Sequence, residues 1–189
     1  MKKLYFYILM LMPVFALTSC EDAEIASTLE GTWKGNMYIS TSYHGHSYDV
    51  AYTEITFIGD PYTISSGYGY WVDYYDTGRY RDLSRNYVAN NIDWKVDNRV
   101  IYIYFREEGT SMRISDYRLN NDRFVGTLND GGNLVDFELF HTASPNWNRY
   151  NYWGYDDWYG DYYYYSRSRG EGAADSTTVE KPVRYVRGK

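Results

Sequence analysis

One cysteine in 189 residues excludes an internal disulfide and any multi-cysteine metal knuckle. Histidine is nearly as scarce, with His44 and His46 flanking Gly45 and His141 standing alone. A zinc site takes about three or four protein ligands, so the His-x-His pair is read as part of a polar loop with Ser42, Tyr43 and Ser47, not as a metal centre. Positive charge is short: 19 Lys and Arg stand against 25 Asp and Glu, for a net charge of -6. That balance excludes the electrostatics on which sequence-independent nucleic-acid binding depends. There is no Gly-rich phosphate loop, no nucleophile elbow and no cysteine nucleophile, and no cofactor is implied. Carboxylate pairs such as Asp73 and Asp76 are too common here to signal glycosidase chemistry, which needs a defined separation in space. No catalytic residue is assigned, and the chain is not expected to be an enzyme.

Long apolar runs are also missing, apart from one at the start. Lys2 and Lys3 precede a run from Leu4 to Leu17, interrupted only by Pro13 and followed by Thr18-Ser19-Cys20. The run is too short for a comfortable membrane span and reads as a signal peptide over residues 1–19. Leu17-Thr18-Ser19-Cys20 resembles the bacterial lipobox, which implies cleavage before Cys20, a diacylglyceryl group on its thiol and acylation, for instance by palmitate, of its new amine. Each buried methylene adds about 0.8 kcal/mol and stable anchoring takes roughly two chains, a requirement such a lipoprotein meets. The competing reading is a plain secretory signal with an incidental cysteine. Glu21, Asp22 and Glu24 follow at once and resemble the acidic export signal of some Gram-negative surface lipoproteins. The expected location is the bacterial outer membrane, on the cell surface or the periplasmic face, with residues 20–28 as an acidic tether.

What is abundant is tyrosine. Aromatics make up 20% of the chain, with 25 Tyr against 7 Phe, and mean hydropathy is -0.62. This is a polar chain rich in strand-favouring residues. From Leu29 to Thr142 apolar residues alternate with polar ones between turn clusters, the signature of antiparallel strands. Trp33, Gly35, Met37 and Ile39 share one face; Ile55 pairs with Phe57; Tyr70 to Tyr75 forms a third run. Ile92, Trp94 and Val96 then lead through Asp97-Asn98, a tight-turn candidate, to Ile101, Ile103 and Phe105. Met112 and Ile114, Phe124 and Leu128, and Val135, Phe137 and Leu139 follow, separated by Asn120-Asn121-Asp122 and Asp130-Gly131-Gly132-Asn133. Eight such strands laid flat would leave open edges, and closing the sheet removes them. The expected fold is all-β, an antiparallel up-and-down β-barrel of about eight strands over residues 29–142, with a two-sheet β-sandwich as the alternative.

Gly31-Thr32-Trp33, opening the first strand, resembles the Gly-x-Trp motif of the lipocalin or calycin superfamily. The chain as a whole is similar to small lipocalin-like bacterial lipoproteins. The resemblance implies that Trp33 plugs one end of the barrel, that Gly31 permits close approach of the chain, and that a small apolar ligand could sit inside. The inward candidates Trp33, Met37, Phe57, Trp94, Phe105, Phe124 and Phe137 are bulky. An eight-stranded barrel is only just wide enough to be filled by side chains, so a packed interior is expected.

Two polar aromatic stretches stand out. The first runs from Gly67 to Asp76 with Arg79, Tyr80 and Arg81 after it; the second lies in residues 143–166, with Trp147, Tyr150, Tyr152, Trp153, Trp158 and further tyrosines. Flat rings beside Asp, Asn and Arg suit sugar faces or protein contacts. Trp71, Tyr74, Tyr75, Trp153 and Trp158 are therefore the candidate ligand-binding residues. Half-solvated strand positions for the first stretch and a low-complexity tail for the second are the structural alternatives. Residues 167–189 have little apolar content and are expected to be disordered. Two functions follow: a binding module for a glycan or small apolar ligand, or an accessory lipoprotein that docks on another envelope protein through its aromatic segment.

Overall fold

The computed structural model describes residues 20–43, 46–75, 87–150, 152 and 183–187. Ten strands occur among them: β1 (Gly31–Asn36), β2 (Ile39–Tyr43), β3 (His46–Gly59), β4 (Ser66–Tyr75), β5 (Tyr87–Asp97), β6 (Val100–Phe105), β7 (Thr110–Leu119), β8 (Arg123–Asn129), β9 (Leu134–Thr142) and β10 (Val183–Val186). Residues 20–29 are helical (α1).

Strands β3 to β9 follow one another as antiparallel neighbours. β1 closes the ring because it pairs on both sides, Trp33 lying opposite Ile55 of β3 and His141 of β9. The result is a closed, eight-stranded up-and-down barrel, which removes the free edges that a flat sheet would expose. Asn98 and Arg99 form the two-residue β5–β6 turn with φ of 51° and 61°, the primed geometry that suits the twist of a hairpin. Asp130 shapes the β8–β9 turn by accepting from the backbone N–H of Gly132 and Asn133 at 2.9 and 2.8 Å.

Alternation along the strands divides inside from outside. Ile101, Ile103 and Phe105 are fully buried while Tyr102 and Tyr104 are exposed, and the same period holds in β8 and β9. The expected inward set, Trp33, Met37, Phe57, Trp94, Phe105, Phe124 and Phe137, is buried throughout and forms one continuous core.

Three features depart from the sequence reading. The first strand breaks at Met37-Tyr38, where Tyr38 has a φ of 51° and the side chain of Asn36 accepts from its N–H. After the break β2 leaves the ring and pairs with the start of β3 and with β10. The tail expected to be disordered supplies β10, which lies antiparallel to β2 from Val183 opposite Ser42 to Val186 opposite Ile39. Val186 is fully buried in the core, so this part of the tail is ordered by packing that its polar neighbours in sequence conceal. The acidic segment read as a tether is α1, with Ala26 and Leu29 in the core. The remaining tail residues, 167–182, lie outside the described residues.

Candidate functional site

The end of the barrel beside α1 is sealed. Trp33 is fully buried, its indole Nε1 donates to the Leu29 carbonyl at 2.7 Å, and its ring meets the edges of Phe124 and His141. Gly31 has a φ of 121°, and a Cβ there would lie 2.5 Å from His141 Nε2, so close chain approach does require glycine at this position. Cys20 is exposed at the start of α1. Beside it, the Asp22 carboxylate accepts from Asn98 N and Arg99 N at 3.0 and 2.9 Å, and Glu21 pairs with Arg99 at 3.2 Å. Two of the three acids after Cys20 thus clamp the helix to the β5–β6 turn.

The opposite end, the mouth, holds a buried polar cluster. Trp71 is fully buried, with its Nε1 donating to Asp73 Oδ1 at 2.8 Å and its ring edge-on to Phe105. Thr53 Oγ1 donates to the same carboxylate oxygen at 2.7 Å. Arg184 of β10 reaches in and lies 3.2 Å from Asp73 and 3.1 Å from Glu108 in the β6–β7 turn. Burial pushes the Glu108 carboxyl above its usual range, although Arg184 and Asn90 pull it back down.

Two of the candidate ligand-binding residues in the first aromatic stretch, Trp71 and Tyr75, are thus buried. Period two turns Trp71, Asp73 and Tyr75 inward and Tyr70, Val72 and Tyr74 outward. Tyr75 is buried, with its hydroxyl 2.9 Å from Thr41 Oγ1. Of the candidate residues, Tyr74 alone among those described reaches the outer face, half-buried; Trp153 and Trp158 lie outside the described residues.

On that outer face the two aromatic stretches meet. Tyr70 stacks on Trp147 at 5.2 Å and 22° and also touches Tyr152, while Tyr74 hydrogen-bonds Tyr150 and donates to Glu54 at 2.9 Å. Burial and these two partners push the Tyr74 phenol well above its usual range. Trp147, Tyr150 and Tyr152 so lie over the face of β4 and β5 that carries Val72 and Ala89, both of which are fully buried.

A groove of about 550 Å³ on the outside of β4, β5, β6 and β7 was not anticipated. Three exposed tyrosines line it: Tyr68, Tyr102 and Tyr104. Register aligns them across the sheet, with Asp93 opposite both Tyr68 and Tyr104, and Lys95 opposite Tyr102. Arg106 chelates the Asp93 carboxylate, donating from Nε at 2.9 Å and also from Nη2. Trp94 underlies the groove and donates from Nε1 to the Tyr68 carbonyl at 3.0 Å. The Ile101-Ile103-Phe105 alternation implied outward tyrosines at 102 and 104, but joining them to Tyr68 needed the cross-strand register.

His141 and His46 lie at opposite ends of the barrel. His141 pairs with Trp33 at the sealed end, whereas His46 begins β3 at the mouth and His44 lies outside the described residues. Among the described residues no group of three or more His, Cys, Asp or Glu could hold a metal ion.

A closed up-and-down barrel sealed by a tryptophan of its first strand defines a calycin-type binding fold. A family model for the lipocalin-like domain matches residues 29–126, and the chain belongs to that family. The family is generally a non-enzymatic fold associated with binding small hydrophobic ligands. Comparison with curated proteins gave no match.

Proposed function

We propose that the protein is a non-catalytic binding module of the bacterial envelope, held at the outer membrane by lipid on Cys20, which takes a glycan on its tyrosine groove. The observation that carries this reading is the groove itself. Tyr68, Tyr102 and Tyr104 offer flat apolar faces on one surface, and Asp93, Lys95 and Arg106 offer hydrogen-bonding groups between them. Sugar rings present the complementary combination of apolar faces and hydroxyls. The volume lies within the range of about 300–1,000 Å³ usual for small-molecule sites.

The small apolar ligand associated with the family finds less support in this chain. Trp33, Trp71, Phe57, Phe105 and Phe124 are among the largest fully buried side chains and fill the space such a ligand would need. The accessory-protein reading rests on the aromatic segment, whose first residues are used to cover the barrel.

Affinity electrophoresis of the mature chain in gels containing soluble xylan, mannan or glucan tests the proposal. Retardation by at least one polymer, lost in the Tyr102→Ala/Tyr104→Ala variant while its circular dichroism stays unchanged, is the expected result. Equal retardation of the variant would remove the groove from the site. Retardation by none, together with capture of a specific envelope protein lost on deleting residues 147–165, would favour the accessory reading.

A further inference from the structure

We propose that the mouth of the barrel is a binding site for a small organic cation of the guanidinium or alkylamine class, and that Arg184 of β10 occupies it as an intramolecular stand-in. The site is built from two sides. Asp73 and Glu108 supply carboxylates 3.2 and 3.1 Å from the Arg184 guanidinium. The rings of Phe105 and Trp71 supply the floor, with centroids 4.1 and 5.8 Å from its central carbon, a cation–π arrangement.

The cage is held rigid independently of its occupant. Thr53 and Trp71 fix Asp73 through bonds of 2.7 and 2.8 Å, and both are fully buried. Asn90 donates to Glu108 at 2.9 Å, and its side-chain oxygen is buried with no hydrogen-bond donor among the described residues. A buried acceptor without a donor costs about 1–3 kcal/mol, and a free cation, not tethered through β10, could turn an N–H toward it.

The occupant rides on a short edge strand: β10 is four residues long and, among the described residues, pairs with no strand but β2, its hold completed by Val186 in the core and the Val186 N–H on Asp130. An incoming guanidinium pays its own desolvation, which rehydration of the displaced Arg184 offsets. A free guanidinium can therefore compete with Arg184 if the strand lifts, and the affinity is reduced by the fraction of time the strand is down.

Methylguanidine, with methylurea as its neutral isostere, is the probe for the full mature chain. Saturable methylguanidine binding to the wild type, with faster amide exchange at 184–186 and no effect of methylurea, is expected. Arg184→Ala should bind about tenfold or more tightly, since the competitor is gone. Adding Asp73→Asn to that variant should abolish binding. Should Arg184→Ala unfold, Arg184→Gln keeps a hydrogen-bonding head group without the charge and must still show tighter binding than wild type. Binding by the Arg184 variants alone, with the wild type unresponsive and β10 exchange unchanged, would make Arg184 a permanent plug and overturn the proposal. Equal binding of methylurea would overturn it as well.

Discussion

Trp71 and Asp73 lie two residues apart on one strand and meet inside the barrel, the indole Nε1 donating to the carboxylate at 2.8 Å. A tryptophan in a Tyr-rich, polar run is thereby a core residue that also fixes a buried acid. Trp71→Ala should destabilise the protein by about 3–5 kcal/mol. Trp71→Phe keeps most of the ring but leaves Asp73 short of a donor, for about 1–3 kcal/mol. Urea unfolding measures both; an unchanged midpoint for either would place Trp71 on the surface.

Gly31 carries both a positive φ and a close neighbour. Gly31→Ala should cost about 1–3 kcal/mol. Adding His141→Ala should restore the part due to the 2.5 Å approach but not the part due to the φ of 121°. A double-mutant cycle separates the two, and a coupling near zero would show that the imidazole is not what glycine avoids.

Asp22 has a structural task that Glu24 lacks. Asp22→Ala removes the acceptor for two turn N–H groups and should destabilise by about 2 kcal/mol, while Glu24→Ala should change stability by less than about 0.5 kcal/mol. Scoring both variants by antibody access on intact cells then distinguishes an export signal, which loses display with either, from a helix clamp, which responds to Asp22 alone.

Asp130 links β10 to pH. Its carboxylate accepts from Val186 N at 2.8 Å. Burial alone would raise its pKa, but bonds from the backbone of Asn133, Val186 and Gly132 outweigh that and hold it below 3.8. A lowered folded pKa contributes stability that is present above 3.8 and lost as pH falls through the folded value. Amide exchange at Val186, corrected for its intrinsic pH dependence, should rise below that pH. In Asp130→Ala it should be fast at all pH values; a flat wild-type profile would contradict the linkage.

Cys20 is the proposed anchor. Cys20→Ser should move the protein from the membrane to the soluble fraction, because it removes the thiol that would carry the lipid. Retention at the membrane would refute lipid anchoring through this residue.

Much of the barrel was legible in sequence because β5 to β9 are joined by short turns and bury one face each, so period two and turn chemistry suffice. Where burial depends on a distant segment, the pattern fails. Val72 and Ala89 point outward yet are buried, because Trp147, Tyr150 and Tyr152 lie over that face. Arg184 and Val186 sit in a polar tail and gain order from β2, Asp130 and the mouth. In the candidate site, the alternation that hides Trp71 and Tyr75 also exposes Tyr68, Tyr102 and Tyr104. That selection needed register.

The most direct test of a filled barrel with its binding surface outside uses the indole N–H signals of the six tryptophans in the mature chain. Trp94 underlies the groove, whereas Trp33 and Trp71 are fully buried at the two ends of the interior. Titration with xylan-, mannan- and glucan-derived oligosaccharides, followed by nitrogen–proton correlation spectra, is predicted to shift Trp94 while Trp33 and Trp71 stay in place. Movement of Trp33 and Trp71 with Trp94 fixed, above all on adding a long-chain fatty acid, would contradict the account and put the ligand inside the barrel.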